Sequence, residues 1–70
     1  MTLNNAELSV EYIIKDVLTD DEEMKTFLFT LGCYSGEPIT VISRKKDNVV
    51  LSIKEARYSV DSRLADMIHV

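Results

Sequence analysis

Chemistry in this chain would have to come from very few side chains. There is one cysteine, Cys33, and one histidine, His69, far apart in the sequence. Nucleophilic catalysis needs an activated Ser, Cys or Lys held by a base and an orienting group. His69 lies one residue from the C-terminus between Ile68 and Val70; strand alternation turns those two inward and His69 out to solvent. No glycine-rich phosphate loop, Gly-x-Ser-x-Gly elbow or His–Glu zinc helix occurs. Metal sites need several His, Cys or carboxylate ligands converging on one point. The run Asp20-Asp21-Glu22-Glu23 supplies oxygens, but consecutive helix residues fan around the axis. Such a run is better explained as acids favoured at the positive end of a helix dipole. The residues therefore predict no catalytic group, no cofactor and no stoichiometric metal.

A binding surface is the more promising reading. Cys33 and Tyr34 fall in a turn bounded by Gly32 and Gly36 and followed by Glu37 and Pro38. A turn is a poor place to hide two apolar residues, and supported loops tend to carry binding. Phe29 falls off the apolar stripe of the preceding helix and is expected outside. Together Phe29, Cys33, Tyr34 and Glu37 form the candidate partner-binding patch, with Gly32, Gly36 and Pro38 shaping the turn. The plain alternative is that Cys33 or Tyr34 closes the fold as core. A lone cysteine with no basic neighbour gives no reason to expect an activated thiol. Exposed apolar turn residues can also pair two copies of the chain, so weak self-association is the alternative use of the patch.

Composition narrows the class. Seventy residues allow one domain, 1–70, and no second core. The apolar share of 46% and charged share of 29% are those of a folded globular chain. Twelve acids against eight bases give a net charge of −4, which argues against nucleic acid, whose phosphates require surplus Lys and Arg. The basic run Arg44-Lys45-Lys46 is then a solvated turn that blunts a sheet edge. A single cysteine makes no internal disulfide. The longest apolar runs are three residues, far short of the about 20 a membrane helix needs or the about 7–15 of a signal peptide. A cytoplasmic chain without direct membrane insertion is expected.

The elements that position these residues follow from spacing. Thr19-Asp20-Asp21-Glu22 fits a capping box and opens a helix. Asp21 and Lys25 are spaced for an i,i+4 pair. Met24, Phe27, Leu28 and Leu31 form a stripe that seeks a core, and Gly32 stands where a left-handed cap ends the helix. Val10–Leu18, Pro38–Arg44, Val49–Lys54, Arg57–Val60 and Met67–Val70 read as strands, with Asp61 or Ser62 capping a helical turn over Arg63–Asp66. A hairpin turn at Lys45–Asn48 and a short link at Glu55–Ala56 join the middle strands. Met1–Leu8 is polar with weak periodicity and reads as a loosely ordered lead-in. The result is a mainly β fold: a small barrel of about five strands, one α-helix inserted after the first strand, and a short helical turn before the last.

The string Leu31-Gly32-Cys33-Tyr34-Ser35-Gly36-Glu37-Pro38-Ile39-Thr40-Val41-Ile42 resembles the LG-x-x-x-G-x-x-I/V-x-V core of the ferrous iron transport protein A (FeoA) family. Val50-Leu51-Ser52-Ile53-Lys54, Arg57-Tyr58-Ser59-Val60-Asp61, Leu64-Ala65 and Ile68-His69-Val70 match its second half in order and spacing. The likeness spans Ile13 to Val70. Leu8-Ser9 and Thr19-Asp20 stand where many members have a glycine-containing turn, and Lys25, Thr26 and Phe27 where arginine is frequent. The resemblance implies an SH3-like barrel serving bacterial ferrous iron uptake without catalysis. Its partner would be the cytoplasmic GTP-binding part of the transporter FeoB. Two other functions remain open: a stand-alone relative of the SH3-like domain that ends metal-dependent repressors, and a weak Fe²⁺ carrier.

Overall fold

A computed structural model describes all 70 residues. The strands are β1 (Glu11–Ile13), β2 (Asp16–Val17), β3 (Pro38–Lys45), β4 (Asn48–Ile53), β5 (Ala56–Asp61) and β6 (Ile68–His69); the helices are α1 (Glu22–Leu31) and α2 (Ser62–Ala65). An antiparallel sheet runs β1-β3-β4-β5, and β2 pairs with β6 in a second, two-stranded sheet. The first expected strand, Val10–Leu18, is thus two. Ile14 and Lys15 turn the chain from one sheet to the other, with the Ile14 N–H donating to the Glu37 carbonyl (2.9 Å) and the Lys15 N–H to that of His69 (2.7 Å). A sheet this small reduces its exposed edges by bending over its own core.

Alternation places the core as the sequence predicts. Ile39 and Val41 of β3, Val49, Leu51 and Ile53 of β4, and Val60 of β5 are buried on one side of the sheet. The register of β3 on β4 slips between Val41 and Ser43, a bulge at Ile42 that bends the strand. Ile68 and Val70 are buried with His69 half-buried between them. Asp61 caps α2, its carboxylate accepting from the Arg63 N–H at 2.7 Å and from the Arg63 guanidinium at 3.2 and 3.3 Å. These bonds hold the Asp61 carboxyl below its ordinary range.

The helix starts later than the capping box predicts. Asp21 is the cap, accepting from the N–H groups of Glu23 (3.0 Å) and Met24 (3.2 Å). Aspartate is the stronger capping residue, and the Thr19 hydroxyl instead accepts from the Asp21 N–H (3.1 Å) as a local turn. The expected Asp21–Lys25 pair does not form, because that carboxylate faces the helix end.

The N-terminal residues are part of the fold and not a loose lead-in. A 3₁₀ turn at Leu3–Asn5 puts Leu3 and Ala6 into the core at 0% and 2% exposure. Thr2 bridges to His69, the Val70 N–H donates to the Met1 carbonyl (2.9 Å), and the Asn4 amide donates to the Ser62 carbonyl (2.9 Å). Arg44, expected to be a solvated turn cation, donates to the carbonyls of Leu3 (2.7 Å) and Ala6 (2.6 Å). Three to eight residues hold too little apolar periodicity to reveal this docking; long-range hydrogen bonds create it.

Charge-assisted hydrogen bonds are the stronger class, so Arg44→Met should cost about 2 kcal/mol and lower the melting temperature by about 10 °C. Amide exchange should accelerate first at residues 2–6. Unchanged protection there would mean that Leu3 burial alone holds the segment.

Candidate functional site

The C-terminal end of α1 builds the candidate site. Gly32 takes φ +102°, its N–H donating to the Phe29 carbonyl (2.9 Å) while the Cys33 N–H donates to that of Leu28 (3.1 Å). This is the Schellman arrangement, in which the residue after the glycine folds back onto the helix. A Cβ at Gly32 would stand 3.3 Å from Ile53 Cγ2, so the helix end lies directly against β4. The Glu37 N–H then donates to the Tyr34 carbonyl (3.1 Å) across a turn whose third residue, Gly36, has φ +92°, a position that favours glycine.

This geometry separates the four candidate residues. Cys33 is fully buried with Leu28 in the core, so the expectation that it is a contact residue is corrected. The cause is local, since the Schellman turn directs the residue after the glycine inward. Burial pushes its thiol up from 9.0 to about 11. Tyr34 is exposed, with 46% of its surface open. Phe29 is half-buried against the core and not fully outside; its ring stacks on that of Tyr34 with centroids 5.5 Å apart and planes inclined by 22°. Glu37 is half-buried and meets Lys54 at 3.8 Å.

Two lysines complete the site that sequence reasoning missed. Lys54 Nζ lies 5.6 Å from the Tyr34 ring centroid and Lys25 Nζ 5.9 Å from that of Phe29, both within cation–π range. Lys25 stands four residues before Phe29, so the helical spacing carried that signal. Lys54 was hidden because the hairpin link is Lys54–Glu55 rather than Glu55–Ala56, with Ile53 paired to Ala56. Both link residues have left-handed backbone, φ +51° and +68°, as a two-residue hairpin of the primed type demands. Beside the corner, Glu11, Glu37, Pro38, Thr40, Ser52, Lys54 and Glu55 line an open polar groove of about 420 Å³.

No three His, Cys, Asp or Glu side chains gather as a metal-binding set. Cys33 is inside the core and His69 is in β6, paired through its backbone with Asp16. No helix is long and apolar enough to cross a membrane. The corner is a stacked aromatic pair, Phe29 on Tyr34, with one ammonium group near each ring.

A four-stranded antiparallel sheet, a second sheet of two strands and a helix inserted between β2 and β3 make an SH3-like fold. The FeoA domain model matches residues 1–70, and the chain belongs to the FeoA family. It superposes on an iron uptake regulatory protein (FeoA) with a TM-score of 0.87 at 17% identity, covering 97% of this chain and 91% of that one. FeoA of Stenotrophomonas maltophilia, complexed with zinc and described as a procaryotic SH3 domain protein, gives 0.88 at 19% identity, covering 100% and 88%. A manganese-dependent transcriptional repressor gives 0.88 at 16% identity; this chain is covered to 97% but that chain only to 39%. These likenesses show the fold. Among curated proteins no sequence matches significantly.

Three measurements follow from the construction of the helix end and the hairpin beside it. Native Cys33 should resist thiol reagents at pH 8 and react on unfolding. Its raised pKa means an unfolded thiol ionises before the folded one. Stability should therefore be full below pH 9 and fall between about 9 and 11, by up to about 3 kcal/mol, a component absent in Cys33→Ala. Left-handed backbone costs a non-glycine residue about 1 kcal/mol, so Glu55→Gly should raise the melting temperature by about 4–8 °C. A lowered melting temperature would show that the Glu55 side chain contributes more than its backbone costs.

Proposed function

We propose that this chain is a non-catalytic cytoplasmic accessory of bacterial ferrous iron uptake that docks on the GTP-binding part of FeoB. The contact is the corner formed by Phe29, Tyr34 and Glu37, with Lys25 and Lys54 over the rings. Membership of the FeoA family over residues 1–70 carries the reading. Exposed Tyr34, stacked on half-buried Phe29 beside the turn, supports the choice of surface, because aromatic residues are frequent anchors of protein contacts. A domain of this size offers a small interface, below about 1,200 Å² in total, and so a transient complex.

The likeness to the manganese-dependent repressor supports a second reading, a free-standing regulatory relative of that protein's corresponding segment. The two separate on partner: the first predicts capture of a transporter, the second capture of a DNA-binding protein. A third role, as a weak Fe²⁺ carrier, predicts micromolar Fe²⁺ binding in anaerobic calorimetry, and a flat titration removes it.

Tyr34→Asp places a charge on the ledge while leaving the core untouched. It should abolish co-purification with FeoB from native membranes, with circular dichroism and melting unchanged. Survival of the complex would remove the corner as the contact.

A further inference from the structure

The four-stranded sheet ends on β5, which has β4 as its one ladder partner. The two-residue link at Lys54–Glu55 makes Ile53 and Ala56 a hydrogen-bonded pair. Alternation then commits the backbone of Ala56, Tyr58 and Val60 to β4, and turns the N–H and C=O groups of Arg57 and Ser59 off the sheet. No turn, loop or cap bond reaches those groups, and both residues are exposed. Edge strands are ordinarily blunted by proline, lysine or a bulge, and Ala56–Asp61 has none of them.

The charges along this edge select the occupant. Every second residue from Glu55 reads acid, base, neutral, acid, base: Glu55, Arg57, Ser59, Asp61, Arg63. Reversed, that order is its own complement. We propose that two copies of this chain pair β5 edge to edge, antiparallel, about a two-fold axis at Ser59. The two Ser59 residues exchange both backbone bonds, and Arg57 of each copy stands opposite Asp61 of the other. Glu55 and Arg63 fall opposite each other just beyond the strand ends. A slip of two residues either way sets Glu55 against Asp61 or Arg57 against Arg63, like charges in both cases, so one register is favoured. Neither ion pair within the chain uses Glu55 or Arg57. Asp61 holds Arg63 at 3.2 Å, yet its side chain keeps 43% of its surface open to receive a second guanidinium. This edge is separate from the aromatic corner and does not rest on that assignment.

Sedimentation equilibrium over rising concentration, with amide exchange followed by NMR at the upper end, tests the pairing. The chain should pass from monomer to dimer, and the Arg57 and Ser59 amides should exchange more slowly in the dimer. Ser59→Pro removes the central donor without touching the bonds to β4, and should leave a monomer. Arg57→Asp sets like charges opposite each other twice and should weaken pairing about tenfold or more. Lys15→Asp, of the same net charge, should pair as the parent chain does, and so should Tyr34→Asp. Circular dichroism reports that each variant folds. A monomer at every concentration, unchanged pairing by Ser59→Pro or by Arg57→Asp, or a dimer that Tyr34→Asp dissociates would each overturn the proposal.

Discussion

The close approach of Gly32 to Ile53 is the constraint on which the rest of the structure depends. With a left-handed backbone and 3.3 Å between the site of a Cβ and the Ile53 methyl, only glycine closes the helix there without strain. One residue later Cys33 is drawn into the core, and one residue after that Tyr34 is thrown outward onto Phe29. The Lys54 stem runs past the same point, 3.8 Å from where that Cβ would be, which brings its ammonium to Tyr34 and Glu37. A single turn thus ends the helix, seats it on β4 and displays the corner.

The same constraint explains why α1 exposes apolar surface. A ten-residue helix tied at one end by Gly32 and anchored by one fully buried side chain, Leu28, cannot roll its whole stripe onto a barrel this small. Met24 lies at its edge and Phe27 beyond it. Burial of a leucine contributes about 2 kcal/mol, and Leu28 anchors the helix with partly buried Phe29 and Leu31 while Met24 and Phe27 stay open to solvent.

Elements dictated by local chemistry were legible in the sequence. The Gly32 cap, the alternation of Val49, Leu51 and Ile53, the helical turn after Asp61 and the mainly β architecture follow from short-range rules. What escaped is what distant residues decide. The burial of Leu3 and Ala6 depends on Arg44 and on the closing strand, none of them neighbours in sequence. The corner within Val10–Leu18 is set by pairing to two different sheets. Cys33 shows a rule read too coarsely: a turn residue is exposed by default, but a Schellman turn buries the one that follows its glycine. Of the candidate site, Tyr34, Phe29 and Glu37 were found by type and spacing, whereas Lys54 required the hairpin register.

The proposed contact sets the turn at Gly32 against the GTP-binding part of FeoB. Titrating the isotopically labelled chain with that soluble domain and following amide shifts by NMR tests it most directly. Docking at this corner predicts shifts concentrated at Phe29, Gly32–Glu37 and Lys54, with the outer face of β5 silent. Shifts confined to other faces, or none at saturating domain, would contradict it.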